Sequence, residues 1–349
     1  ISAQYLQALV AYEQGDLDTA QTKLRGVLSG QSNYPPALYL LGAVQFQTKD
    51  FLQAEANLTS YLTRNSSDAS ARKLLGAVRM QSGNYDGVVA ALEGTLEGSD
   101  DAQSLAMLGT AYARLNRLNE ASMLLDKAVA VAPDVGSLRN QLAVTLLAAG
   151  ESEQAIGQLK SAIKLDGELQ LSDYLLVLAQ LREGRVDEAL EAVNVLRERA
   201  PQDPMGENLL GAVRFAQGDA GAARAAFGAA LEMNAAFQPA ALNLVRLELS
   251  EGNKDAAIVG LQALLDADSN NESALLQLAE LELDDFRQTS FALAPSNPVS
   301  AAAERAQAVE RAEALLRRAV SAHANSLAPR LALARLGLFN RDAALATSE

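Results

Sequence analysis

The chain has 349 residues, of which 49% are hydrophobic, so wholesale disorder is excluded, while aromatics make up only 5% and tryptophan is absent. Asp and Glu number 43 against 29 Lys and Arg, a formal charge of −14, and no cationic cluster stands ready to displace counterions. DNA, RNA and an anionic membrane surface are thereby excluded as primary ligands. With no cysteine there are no disulfides, thiolate nucleophiles or cysteine zinc sites, and no apolar run reaches transmembrane length.

From the amino terminus onward one pattern returns. With Ala20 as an anchor, small residues recur at Ala54, Val88, Ala121, Ala155, Ala189, Ala223 and Ala257, at steps of 34 residues and once 33. Thirteen residues before an anchor stands a leucine, as at Leu41, Leu75, Leu108, Leu142, Leu176 and Leu210. The residue after it is usually small, as at Gly42, Gly76, Gly109, Ala143 and Gly211, and four residues beyond the anchor comes Leu24, Leu58, Leu92, Leu125, Leu159 or Phe227. This predicts two amphipathic helices per repeat, with small residues letting the two backbones approach and the leucines filling the seam.

The punctuation agrees. Gly15, Gly83, Gly150, Gly184, Gly218 and Gly252 sit five residues before their anchors, where the first helix must end in a left-handed residue. Asn116 and Lys49 take that place in two repeats, and Lys49 is the awkward substitute. The nine prolines fall at repeat boundaries or, for Pro295 and Pro298, in an insertion. The expected architecture is all-α: one continuous solenoid over residues 1–349, with nine full repeats and part of a tenth. The period breaks once. About 21 extra residues lie between Leu283 and Ala312, giving an insertion at 286–311 within repeat nine that carries Phe286 and Phe291 on a loop. Asn297-Pro298 reads as a helix start, followed by a long second helix from Val299 to His323.

Period, small/large alternation and turn glycines together resemble the tetratricopeptide repeat (TPR) family across essentially the whole chain. The resemblance implies a right-handed superhelix of antiparallel helix pairs, with the first helix of each repeat lining a concave groove that takes a protein or peptide partner. A narrower likeness rests on Asn208-Leu209-Leu210-Gly211-Ala212-Val213, Gly218-Asp219, Ala223-Arg224-Ala225-Ala226-Phe227 and Ala274-Leu275-Leu276-Gln277-Leu278-Ala279. These stretches resemble the TPR-repeat lipoproteins of the bacterial exosortase (PEP-CTERM) sorting system found beside exopolysaccharide genes in Gram-negative bacteria. That resemblance implies a periplasmic or outer-membrane-associated, lipid-anchored parent protein. The chain starts at Ile1 and its last repeat is incomplete, so it reads as a piece of a larger protein, with membrane attachment expected only through an anchor outside it.

Repeat register places Tyr5, Tyr39, Phe46, Asn140 and Tyr174 in the groove, followed by Arg182, Asn208, Phe215, Asn243 and Arg246. Rings there offer contact area and amides bond a peptide backbone, although aromatics at helical spacing also serve as core between repeats. Asn208 and Asn243 occupy neighbouring places in successive repeats and form the best pair, for a ligand or for each other's helix. Phe286 and Phe291 are candidate insertion contacts. The carboxylate clamp that some TPR domains use is not expected, because Lys73 matches one of its places but Ala77 stands where an asparagine is needed.

Signals of catalysis are missing. His323 is the single histidine and reads as an exposed turn residue; there is no phosphate loop, dinucleotide fingerprint or nucleophile elbow. The cluster Glu280, Glu282, Asp284 and Asp285 lacks calcium-loop spacing and reads as a solvated face. No catalytic residue, cofactor or metal is expected. The expected function is a non-enzymatic protein–protein scaffold, linked through the narrower resemblance to exopolysaccharide export or protein sorting. A cytoplasmic adaptor or co-chaperone, or the recruiting arm of a larger glycosyltransferase, stays open.

Overall fold

Every regular element among the described residues is a helix in the computed structural model, which describes residues 2–94, 96, 100–165, 170–291 and 298–346. For residues 2, 285–291, 298–305 and 339–346 only the helical backbone is described. The chain divides into two compact units, Ile1–Arg185 and Val186–Glu349.

In the first unit α1 (Ser2–Glu13) pairs with α2 (Leu17–Gly30), and α3 (Pro35–Gln47) with α4 (Phe51–Leu62). Next come α5 (Ala69–Gln81) with α6 (Tyr85–Leu92), α7 (Ala102–Arg114) with α8 (Leu118–Val131), and α9 (Gly136–Ala149) with α10 (Ser152–Leu165), followed by α11 (Gln170–Arg182). The second unit opens with α12 (Val186–Arg199) and pairs α13 (Pro204–Ala216) with α14 (Ala220–Met233) and α15 (Gln238–Ser250) with α16 (Lys254–Ala267). It closes with α17 (Glu272–Phe291) on α18 (Pro298–Ala322), then α19 (Leu327–Ala346). The one 33-residue step contains the shortest of these helices, α6, of 8 residues. Prolines sit where their missing N–H is harmless, in the first turns of α3, α13, α15, α18 and α19.

From α1 to α16 the turns that end each first helix repeat one hydrogen-bond scheme. After α1, Asp16 N–H donates to Ala11 O (2.9 Å) and Gly15 N–H to Tyr12 O (3.0 Å); after α13, Asp219 N–H donates to Arg214 O (3.0 Å) and Gly218 N–H to Phe215 O (2.9 Å). This is the Schellman closure, which needs a left-handed residue. Six glycines supply it, and Lys49 (φ +62°) and Asn116 (φ +59°) are driven into the same conformation. The following residue caps the second helix: the Asp16, Asp50, Asn84 and Asp219 side chains accept from the backbone N–H three residues on. A Cβ at Gly15, Gly83 or Gly218 would meet no atom within 4 Å, so the demand for glycine there is purely conformational. We therefore expect Lys49→Gly to stabilise the first unit by about 0.5–1 kcal/mol, relieving left-handed strain at the cost of some unfolded-state entropy. Urea unfolding measures this, and an unchanged or lowered midpoint would refute it.

The seam between paired helices is built as the repeat predicts. Ala20, Ala54, Ala121, Ala155, Ala189, Ala223 and Ala257 are fully buried, as are Leu24, Leu58 and Leu159. A Cβ on Gly42 would lie 2.7 Å from Leu58 Cγ, on Gly109 2.9 Å from Leu125 Cγ, and on Gly211 2.4 Å from Phe227 Cε1, so the large residue occupies the space the glycine leaves.

The insertion is accommodated differently from the loop expected. α17 runs 20 residues where α15 has 13, and α18 runs 25 where α16 has 14, so most of the extra chain lengthens both helices of one hairpin. Phe286 and Phe291 belong to the backbone of α17 rather than to a loop, and their side chains lie outside the described residues. The long second helix begins at Pro298, one residue before its expected start.

Candidate partner-binding face

The first helices carry the residues singled out by register, and most of the aromatic ones are packed against a ring of their own chain. Tyr5 meets Tyr34 edge-on at 5.7 Å between centroids, Tyr39 meets Tyr61 at 5.5 Å, and Phe46 meets Phe51 at 6.1 Å. All three are half-buried against the core. Burial raises the pKa of Tyr5 and Tyr39. Tyr61 donates its hydroxyl to Asp68 Oδ2 at 2.7 Å, and that bond, with burial second, pushes its pKa up to about 12 while holding Asp68 below the usual carboxylate range.

A group whose folded pKa is raised contributes stability that is whole below its unfolded value and lost as pH rises through the folded one. The melting-temperature gap between the native chain and Tyr61→Phe should thus be widest from roughly pH 6 to 10 and narrow steadily on approach to about 12. A gap independent of pH over that window would refute the assignment.

The polar candidates form two local networks. In the first unit Ser172 donates to the buried Asn140 Oδ1 at 2.7 Å, tying α11 to α9, and Arg182 donates to the Leu147 carbonyl at 2.8 Å. Tyr174 donates to Gln170 Oε1 at 3.1 Å. In the second unit the asparagines are brought together: Asn243 Nδ2 donates to Asn208 Oδ1 at 2.9 Å, and Arg246 donates to Asn243 Oδ1 at 3.2 Å. Phe215 is 39% exposed on α13. Lys73, the one residue matching the carboxylate clamp, is engaged by Asp101 of the next repeat at 2.9 Å.

The open space lies elsewhere on the same helices. Two adjoining cavities of about 510 and 550 Å³ share Thr110, Ser137 and Gln141. The first reaches from Met80 on α5 across Ala106 and Met107 on α7 to Leu138 on α9; the second runs from Ala113 and Arg114 on α7 along Asn140, Val144 and Ala148 to Leu171 on α11. Register explains why they occur there. Ala106 and Ala113 stand where α3 carries Tyr39 and Phe46, so α7 alone of these neighbours presents a face without a large side chain at either place. Val144 (47% exposed) and Leu171 (54%) are left uncovered beside it. Asn140 was expected on this face, but Ala106, Thr110 and Ala113 were not. The signal available was the loss of bulk relative to the other repeats, not any chemistry-bearing side chain.

In the second unit a cavity of about 590 Å³ opens between α17 and α19, lined by Leu276, Leu283, Leu331 and Leu336 with Glu280 and Arg335. Glu282 of the acidic cluster takes two hydrogen bonds from Arg311, at 2.9 and 2.7 Å. Among the described residues no group of three or more His, Asp or Glu side chains is placed to hold a metal ion, and no helix is long and apolar enough to cross a membrane. His323 is half-buried rather than simply exposed: its Nε2 lies 2.6 Å from the Asn270 carbonyl oxygen and its Nδ1 3.6 Å from Glu272 Oε2.

Comparison with known proteins agrees with this geometry. One family model described as tetratricopeptide repeat matches residues 5–56, 106–169 and 140–204, and a second of the same description matches 214–283, together more than half of the chain. None of the curated proteins matches. Among solved structures the chain is similar to a tetratricopeptide repeat protein from Parabacteroides merdae at 16% identity and a TM-score of 0.50, over 71% of this chain and 98% of that one. It is also similar to YrrB, described as a TPR protein with an unusual peptide-binding site (19% identity, TM-score 0.45, 52% of this chain and 95% of that one). A third is the Cut9 and Hcn1 hetero-tetramer of APC/C (19% identity, TM-score 0.46, 91% and 59%). At such identities the likeness speaks to fold alone. With its helix pairs, its shared turn and these matches, the chain belongs to the tetratricopeptide repeat family.

Proposed function

We propose that the chain is a non-enzymatic scaffold that grips a protein or peptide partner on the first-helix face of its first unit. The observation that carries this reading is the pair of adjoining cavities over α7 and α9, whose walls are largely apolar with a few polar groups, the composition of a surface built for recognition rather than chemistry. The likeness of 208–213, 218–227 and 274–279 to the TPR lipoproteins of exopolysaccharide and PEP-CTERM systems supports a finer version. In it the parent protein is periplasmic or outer-membrane-associated and organises export or sorting. A photo-crosslinking residue at Val144, introduced in the parent protein in its own cells, tests both levels. The scaffold reading expects one dominant protein adduct, and the finer reading expects that adduct in the envelope fraction with a component of export or sorting. Adducts scattered over unrelated proteins would sink the first, and a single cytoplasmic partner would sink only the second.

A further inference from the structure

The two cavities say more about their occupant than that it is a protein. In a chain of formal charge −14, neither cavity has a carboxylate among the described residues of its lining, and the one charged side chain among them is Arg114. Arg114 is exposed and makes no hydrogen bond or ion pair among the described residues. Arg182 stands at the equivalent place in the last turn of α11 and is held there by the Leu147 carbonyl. Among the described residues the charge in the lining of these two cavities is therefore positive, in a chain whose net charge is negative.

Between the cavities stands Gln141. Its Oε1 accepts from Thr110 Oγ1 at 3.1 Å, and its amide Nε2 makes no hydrogen bond among the described residues, so a donor is left at a residue that lines both cavities. A backbone carbonyl is the partner that such a donor suits. The cavity on either side is larger than one bulky apolar side chain and is walled mainly by Met80, Met107 and Leu138 on one side and by Val144 and Leu171 on the other.

We infer that the groove takes a peptide segment with two bulky apolar residues, one for each cavity, its backbone held at Gln141 and an Asp or Glu placed against Arg114. The inference rests on the scaffold reading above and adds the chemical class of the partner. Charge complementarity is what selects the acidic class: a basic segment would meet Arg114 with no carboxylate among the described lining residues to offset it.

The test uses the full chain and a phage-displayed library of short random peptides. Enriched sequences are synthesised with a fluorescent label and titrated by anisotropy. Two apolar residues and an acidic one should be enriched together. Ala106→Tyr and Ala113→Phe place in α7 the residues that α3 carries at the same register, so each fills one cavity with a side chain the fold already accepts elsewhere. Each should weaken binding by about tenfold or more, as loss of a buried anchor does. Arg114→Glu is an exposed change that leaves the core untouched; it should weaken the acidic peptides roughly tenfold and strengthen versions carrying Lys in place of the acid. Enriched peptides that bind all three variants as well as the native chain would overturn the inference and leave the scaffold reading standing. Loss on filling without any response to Arg114→Glu would overturn the acidic class. No enrichment at all would count against both.

Discussion

Truncating Leu125 to alanine should destabilise the first unit by about 2–5 kcal/mol, the cost of removing a buried leucine and leaving its space. Leu125 is 1% exposed, and its Cγ fills the site beside Gly109, which has no side chain with which to close the void. The loss should also be local. Within the unit, contacts run between helices one or two places apart, with α8 touching α7 and α9. In such an array stability is approximately a sum of repeat terms and nearest-neighbour terms. Hydrogen exchange read peptide by peptide should show protection falling most over α7 and α8, less over α9, and little over α1 and α2. Equal loss everywhere in the unit would mean that its cooperativity exceeds what these contacts provide.

Gly211→Ala is the second large effect, about 1–3 kcal/mol of destabilisation from overpacking. The added methyl would stand 2.4 Å from Phe227 Cε1 and 2.5 Å from Cδ1, and the ring, 2% exposed, has nowhere to swing. The chain itself supplies the remedy. Ala8 with Leu24 and Ala143 with Leu159 occupy the same two register places, all four buried. Adding Phe227→Leu to Gly211→Ala should therefore recover most of the loss, giving a coupling energy of about 1 kcal/mol or more in a double-mutant cycle. Additive losses in chemical denaturation would show that the two sites do not share their space.

Much of this was legible beforehand because it is periodic. Gly15, Gly83 and Gly218 announced their turns through the one conformation a Schellman closure requires, and even Lys49, an awkward residue there, obeys it. Ala54, Leu58 and Gly42 announced the seam because helix pairs can approach only where one partner is small. The proposed binding face was harder. Tyr39 and Phe46 look like ligand contacts until their partners Tyr61 and Phe51, which lie on or beside the second helix of the same repeat, come into view. A groove is also made by missing bulk, and Ala106 and Ala113 carry no chemistry to attract notice. The insertion was visible as a break in period, but its form was not, because alanine-rich sequence continues a helix as readily as it follows a loop.

The repeated turn has a consequence for how the molecule comes into being. Each closure is made from backbone groups five residues apart or fewer, to which Asp16, Asp50, Asn84 and Asp219 add a side chain reaching three residues ahead. Nothing in it waits for a distant stretch of chain. During synthesis a hairpin is complete once its second helix has left the ribosome, and it then offers a finished surface on which the next one docks. The order of translation is thus also an order of assembly, with the apolar face of the newest hairpin uncovered only until the next one docks.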